Sequence, residues 1–174
     1  MEVPAPSDRR ASRSQAPAPH VLVTGMSGTG KSSVMRCLKD VGHHAVDIDE
    51  DGYLDESGDE SLWKEEPLRR LIEESEGPLF LAGTAANQVS FYADLDHIVL
   101  LSAPAVVIRE RIRSRTSNSF GKRPGELDRI LADLAKVEPL LRAKCDLELD
   151  TSRLGVKDVT NALLRHVGLP PVAP

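Results

Sequence analysis

His20-Val-Leu-Val-Thr-Gly-Met-Ser-Gly-Thr-Gly-Lys-Ser-Ser-Val-Met-Arg-Cys-Leu-Lys-Asp-Val-Gly42 decides how the rest of the chain is read. Its first five residues, His20–Thr24, are an apolar β-rich run, and a glycine-rich turn follows at once. Val34, Cys37, Leu38 and Val41 then recur at helical spacing, and Gly42 marks the end of that helix. Between strand and helix, Gly25, Met26, Ser27, Gly28, Thr29, Gly30, Lys31 and Ser32 fit G-x-x-x-x-G-K-[ST] at every fixed position. Glycines there permit a tight backbone that turns successive N–H groups toward phosphate oxygens, and the helix start near Gly30 adds its positive dipole end. Lys31 is placed to reach the β- and γ-phosphates of a nucleoside triphosphate, Ser32 to ligate Mg²⁺, and Ser33 to complete the binding segment.

Outward from this stretch, short apolar runs alternate with helical patterns. Ala45–Ile48, Leu79–Ala82, Asp96–Leu101 and Leu147–Leu149 read as four more strands. Helices are expected over 61–76 with a break or a second start at Pro67, over 104–115, along the stripe Leu127 to Leu141 with a late kink at Pro139, and from Val156 to Val167. Strand–helix alternation implies right-handed crossovers. The fold class is therefore α/β: a three-layer α/β/α P-loop NTPase domain with a five-stranded parallel sheet and a short lid. Residues 1–19, rich in Pro, Ala, Ser and Arg, read as a disordered tail without an apolar signal-peptide core, 20–168 as the domain, and 169–174 as a C-terminal tail.

Composition excludes several functions. Aromatics at 3% leave no stacking platforms for single-stranded nucleic acid, and a net charge of -5 opposes broad nucleic-acid affinity. No apolar run approaches the length of a membrane span. Cys37 and Cys145 make no metal pattern and read as free thiols of a reducing cytoplasm. The expected protein is cytoplasmic, a monomer or homodimer, with a small-molecule partner and neither nucleic acid nor membrane.

A phosphate-binding loop alone does not name a reaction. Asp47 and Asp49 end the second strand, and residues two apart in an extended chain share a face, so both carboxylates should project near the loop. One of them would hold Mg²⁺ through water while the other orients and deprotonates an acceptor hydroxyl. The acids that follow, Glu50, Asp51, Asp55, Glu56, Asp59 and Glu60, read as a solvated loop. Arg109, Arg111, Arg113, Arg115, Lys122 and Arg123 crowd the segment after the fourth strand. Arg111 and Arg115 share a helix face, and Lys122 and Arg123 sit in a Ser/Asn/Gly-rich stretch suited to closing over transferring phosphate. No Walker-B run and no N-K-x-D sequence supports a motor ATPase or a GTPase switch.

At these residues the chain resembles the shikimate kinase-like branch of the nucleoside monophosphate kinase superfamily, which also holds gluconate and adenylate kinases, over about residues 20–168. The resemblance implies ATP and Mg²⁺ as cofactors, Asp47 at the metal and Asp49 at the acceptor. It implies Arg111 and Arg115 near adenine and phosphates, Arg123 closing over the phosphates, and Asp150-Thr151-Ser152-Arg153 as the adenine-proximal loop. Two departures concern the acceptor. Gly83-Thr84-Ala85-Ala86-Asn87 replaces a glycine triplet, and Val137 stands where those kinases place an arginine for the acceptor carboxylate. Thr84, Asn87, Glu138 and Arg69 or Arg70 are then expected on the acceptor side, with Tyr53 and Trp63 capping it or buried in the core. Three readings stay open: a kinase of a small-molecule hydroxyl, a nucleoside monophosphate kinase, and a non-catalytic ATP-binding regulatory module.

Overall fold

Alternation of side chains along His20–Thr24 (β1) organises the layers of the computed structural model, which describes residues 17–173. Val21 and Val23 face one side of the sheet and Leu22 the other, each without solvent exposure. On the first side lie Lys31–Asp40 (α1) and, near the end of the chain, Val156–His166 (α5). They pack Val34, Met35, Leu38, Val159, Leu163 and Leu164 against the sheet. On the second side Leu68 and Ile72 of Glu65–Glu73 (α2) and Phe91 of the 3-10 helix Gln88–Asp94 cover Leu22, Leu79 and Leu81. A third cluster joins Ala105–Ser114 (α3) to Glu126–Arg142 (α4) through Ile108, Ile112 and Ile130.

The sheet contains β1, His44–Asp47 (β2), Leu79–Ala82 (β5), His97–Ser102 (β6) and Leu147–Asp150 (β7), in the order β2-β5-β1-β6-β7 with every pairing parallel. The chain builds leftward from β1 and then crosses to its right, so β1 ends at the switch point where such sheets bind ligands. The α/β class and the parallel five-stranded sheet are as the sequence indicates, and residues 115–125, where the lid is expected, connect α3 to α4. The lid is pinned at Gly121. A Cβ there would lie 2.5 Å from Ile112 and 3.0 Å from Ile130.

The segment between β2 and α2 differs from expectation. Leu54–Asp55 (β3) and Leu62–Trp63 (β4) form a small antiparallel hairpin, and β4 takes the start of the segment 61–76 that reads as helical. Trp63 is buried and Asn87 grips its backbone, accepting from Trp63 N at 2.9 Å and donating to Trp63 O at 3.0 Å. Tertiary contact therefore overrides local helical periodicity. Pro67 falls in the first turn of α2, where an absent N–H costs nothing, so it marks a helix start rather than a break. Helix α4 runs on through Pro139 to Arg142.

Residues 169–173, expected as a tail, lie back on the core. Leu169 N donates to Leu164 O at 2.8 Å and Val172 N to Asn161 Oδ1 at 2.7 Å. Of the N-terminal tail, residues 1–16 lie outside the described residues, and Pro19 O already pairs with Leu79 N. Among the described residues no helix is long and apolar enough to cross a membrane.

Two glycines with positive φ separate the cost of backbone strain from that of steric contact. A Cβ on Gly25 (φ +148°) would lie 2.3 Å from Leu101 O, whereas one on Gly42 (φ +89°) meets nothing within 4 Å. Gly42→Ala is expected to cost about 1 kcal/mol, the left-handed penalty alone. Gly25→Ala should cost at least about 3 kcal/mol, because strain and backbone overlap add. Urea unfolding of the two variants checks this, and equal losses would mean that Gly25 is not sterically required.

Candidate functional site

Where β1 ends, the chain has no side chain to spare, and the loop 25–30 turns between the ends of β5 and β6. Gly25, Gly28 and Gly30 all have positive φ. Thr29, fully buried, donates its hydroxyl to Met26 O at 2.8 Å and so closes the loop on itself. Thr84 Oγ1 bonds both Gly25 N (3.2 Å) and Gly25 O (2.8 Å), tying the loop to the end of β5. Helix α1 then starts at Lys31 without a side-chain cap, so its first N–H groups are left for a ligand anion. Lys31 Nζ rests on Gly25 O (2.6 Å) and Met26 O (3.2 Å). Burial lowers its pKa, while Asp49 and Asp47 pull the other way.

The acids after β2 divide. The same-face argument fails here because β2 stops at Asp47 and a turn follows. Asp47, 4% exposed, accepts from Ser32 Oγ at 2.6 Å. Asp49 instead lies over Gly83, where a Cβ would come within 3.1 Å of its Oδ1. It keeps solvent contact at the cleft mouth, yet protein surrounds enough of it that desolvation pushes its carboxyl up to about 6. Lys31 opposes that shift, and Asp47, Glu50 and Glu56 add to it. Glu50, read as solvated, faces the cleft with Oε1 3.5 Å from Ser32 Oγ. Nothing in the acidic run distinguishes it before the turn is folded.

Opposite, α3 brings two arginines to the loop. Arg111 donates to Gly28 O (3.2 Å), Thr151 Oγ1 (2.8 Å) and Thr151 O (2.7 Å), joining the phosphate loop to the turn after β7. Thr151, in the segment expected as the adenine-proximal loop, completes the clamp by donating to Thr29 O at 2.8 Å. Arg115 contacts Ser27 Oγ at 3.4 Å and Phe120 O at 2.6 Å, linking loop to lid. Its Nε is buried without a partner, and burial lowers its pKa against the pull of Glu50.

Together these groups line a cleft of about 900 Å³ that includes the whole loop from Gly25 to Ser33. Arg123 and Arg153 are not brought into it. Arg123 is exposed on the lid, and Arg153, 85% exposed, pairs at 3.5 Å with Asp150 of its own turn. On the acceptor side only Thr84 lines the cleft. Glu138 pairs with Arg142 at 2.7 Å, Asn87 is spent on Trp63, and Arg69 is held by Asp94, by Ser90 O and over the Phe91 ring. Arg70 and Tyr53 line a separate shallow depression, and Trp63 is core. The hairpin supplies Leu54, Glu56 and Ser61 in their place.

A divalent cation fits the donors around Ser32, because the hydroxyl and the carboxylates of Asp47 and Glu50 are all hard oxygens. Among the described residues no three His, Cys, Asp or Glu side chains gather to hold a metal alone. Phosphate oxygens and water would have to supply the remaining ligands, the usual arrangement for Mg²⁺.

The profile of the AAA domain family matches residues 21–132. A nucleotide-binding protein of Dinoroseobacter shibae is 28% identical over 177 residues, covering 93% of this chain and 55% of that protein. The chain spans about half the length of the first such curated relatives it matches. A protein of Archaeoglobus fulgidus with the provisional name adenylate kinase is 27% identical, over 82% of this chain and 79% of its own. Among solved structures, shikimate kinase from Acinetobacter baumannii in complex with shikimate superposes with a TM-score of 0.58 at 18% identity, covering 86% of this chain and 93% of that one. At that identity the likeness is one of fold.

The raised Asp49 carboxyl has a signed consequence for stability. The folded state holds this proton more tightly than the unfolded chain, so the associated stability is present below about pH 4 and is lost as pH rises through about 6. Asp49→Asn should therefore melt at a higher temperature than wild type above about pH 6, with the gap closing below about pH 4. Scanning calorimetry across that range reads it, and a gap independent of pH would contradict the crowded-carboxylate assignment.

Proposed function

The chain belongs to the AAA domain family of P-loop proteins, and from that premise we propose that it is an ATP- and Mg²⁺-dependent kinase phosphorylating a hydroxyl of a small molecule. The observation that carries this reading is the placement of Asp49 and Lys31 in one cleft, each acting on the other's charge beside the phosphate loop. The loop amides and Lys31 would hold the triphosphate. Asp49 would take the proton of an acceptor hydroxyl as its oxygen bonds to the γ-phosphorus and the bond from that phosphorus to the ADP oxygen breaks. Bound at Ser32 and Asp47, Mg²⁺ supplies positive charge against the triphosphate. Carboxyl groups pushed toward neutrality are suited to this work, because a base near the working pH both ionises and accepts protons readily.

Charge on the two cleft walls narrows the acceptor. Lys31 and Arg36 come from α1, Arg111 from α3 and Arg115 from just beyond its end, whereas the segments after β2 and β5 present Asp49, Glu50, Leu54, Glu56, Ser61 and Thr84. An anionic acceptor would meet like charge there. A neutral polyol, a sugar or an amine-bearing hydroxyl compound fits, and shikimate does not. The nucleoside monophosphate kinase reading draws on the name of the Archaeoglobus relative. It wants arginines for an acceptor phosphate, but Arg69 is already engaged and Arg70 lies outside the cleft. The non-catalytic reading draws on relatives named only as nucleotide-binding proteins, and it leaves Asp49 without a task.

Phosphoryl transfer from ATP to a panel of neutral, cationic and anionic hydroxyl compounds tests the proposal. Lys31→Ala should abolish transfer with the fold intact. Asp49→Asn should lower kcat by about 10²–10⁴-fold while Mg-ATP affinity changes little, and the acid limb of the wild-type profile near pH 6 should vanish. Arg123 would reach phosphate only by inward movement of the lid, so Arg123→Ala should lower kcat more than nucleotide affinity. Normal turnover by Asp49→Asn would remove the base, and robust turnover of shikimate would remove the acceptor class.

A further inference from the structure

The four acids between Asp47 and Asp51 do not share one environment. Glu50 N and Asp51 N both donate to Asp47 O, at 3.1 and 2.7 Å, and form a tight turn. Asp51 Oδ2 is consumed in that turn, accepting from Asp47 N at 2.9 Å and from Lys39 Nζ at 3.2 Å. Asp47 is buried against Ser32, and Asp49 lies over Gly83 within reach of the Lys31 charge. Among the described residues neither Asp49 nor Glu50 forms a salt bridge, and of these two cleft-lining acids it is Glu50 that approaches Ser32. Its Oε1 stands 3.5 Å from Ser32 Oγ, whose one proton already goes to Asp47 at 2.6 Å. Two carboxylates thus flank one hydroxyl that can satisfy only one of them. Such an arrangement is repulsive until a cation enters it.

We propose that Glu50 is a positioning residue for the divalent cation of the nucleotide complex, standing with Ser32 and Asp47 while Asp49 stands apart on the acceptor side. This inference rests on the phosphate-loop reading of the site. The turn explains the selection of Glu50 over its neighbours: it spends Asp51 on the backbone and leaves Glu50, with its longer stem, to reach back toward α1. A carboxylate at the metal end of such a site acts in opposite senses on the two forms of the ligand. It attracts a cation–nucleotide complex and repels the bare triphosphate.

Mn²⁺ in place of Mg²⁺ and a non-hydrolysable ATP analogue give a readout independent of turnover. Calorimetry of the analogue, with Mn²⁺ or with a chelator, and electron paramagnetic titration of bound Mn²⁺ are done on wild type, Glu50→Gln and Glu50→Asp. Glu50→Gln should weaken Mn²⁺ binding to the protein–analogue complex by about 10-fold. In chelator it should bind the analogue more tightly than wild type. Glu50→Asp, which keeps the charge, should recover part of the Mn²⁺ affinity. Glu50→Gln should melt no lower than wild type, because Glu50 is exposed and its loss removes a like charge from beside Asp47, so weaker Mn²⁺ binding is not a folding defect. If wild type binds the analogue but Glu50→Gln matches it in both conditions, the proposal for Glu50 is wrong and the phosphate-loop reading stands. If wild type binds the analogue in neither condition, both fall.

Discussion

A hydrogen atom at Gly25, where any other residue would put a carbon 2.3 Å from Leu101 O, is the constraint on which the rest of the molecule depends. That contact lets the phosphate loop pass from the end of β1 across the end of β6 without displacing either strand. Thr84 then fixes the loop from β5, and Arg111 with Thr151 fixes it from α3 and the turn after β7. Three of the five sheet strands and one further turn therefore meet at a single loop. Its N–H groups are oriented before any ligand arrives, which is how a fixed backbone becomes a low-cost anion site.

What could be read from the sequence was local. Strand, glycine spacing and helix over 20–42 reinforce one another within a few residues, so β1, the loop and α1 fall where the pattern puts them, and the sheet follows from strand–helix alternation. What could not be read depends on distant partners. The β3–β4 hairpin has strands of two residues, and Asn87, 24 positions from Trp63, supplies much of its fixing. Asp47 and Asp49 are both in the cleft, but the reason is a turn rather than a shared strand face. Arg123 and Arg153 are expected at the phosphates and adenine, but in this structure both lie outside the cleft. A cationic residue in the expected segment says nothing about direction, and Arg153 turns to Asp150 because that carboxylate is local. Glu138 was placed by position alone, and Arg142 and Glu148 claim the region instead.

Separation of charge across the cleft links the two halves of the proposed chemistry. Lys31 is half-buried, and its charge is favoured by Asp49 and Asp47 against the cost of desolvation. Asp49 in turn is held near 6 by the balance between desolvation, which with the neighbouring acids raises it, and Lys31, which lowers it. A triphosphate on the loop would take Lys31 as its own counter-charge and add negative charge beside Asp49. Both effects push the Asp49 carboxyl further up, toward a protonated state in which it accepts nothing. Ser32 and Asp47, by holding a divalent cation next to the phosphates, would offset that added charge and leave Asp49 ionised. On this argument the cation has a second consequence besides neutralising the triphosphate: it keeps the neighbouring base usable. The close spacing of Asp47 and Asp49 in the chain is then a physical requirement, because the offset weakens with distance and a base set far from the cation would lose it.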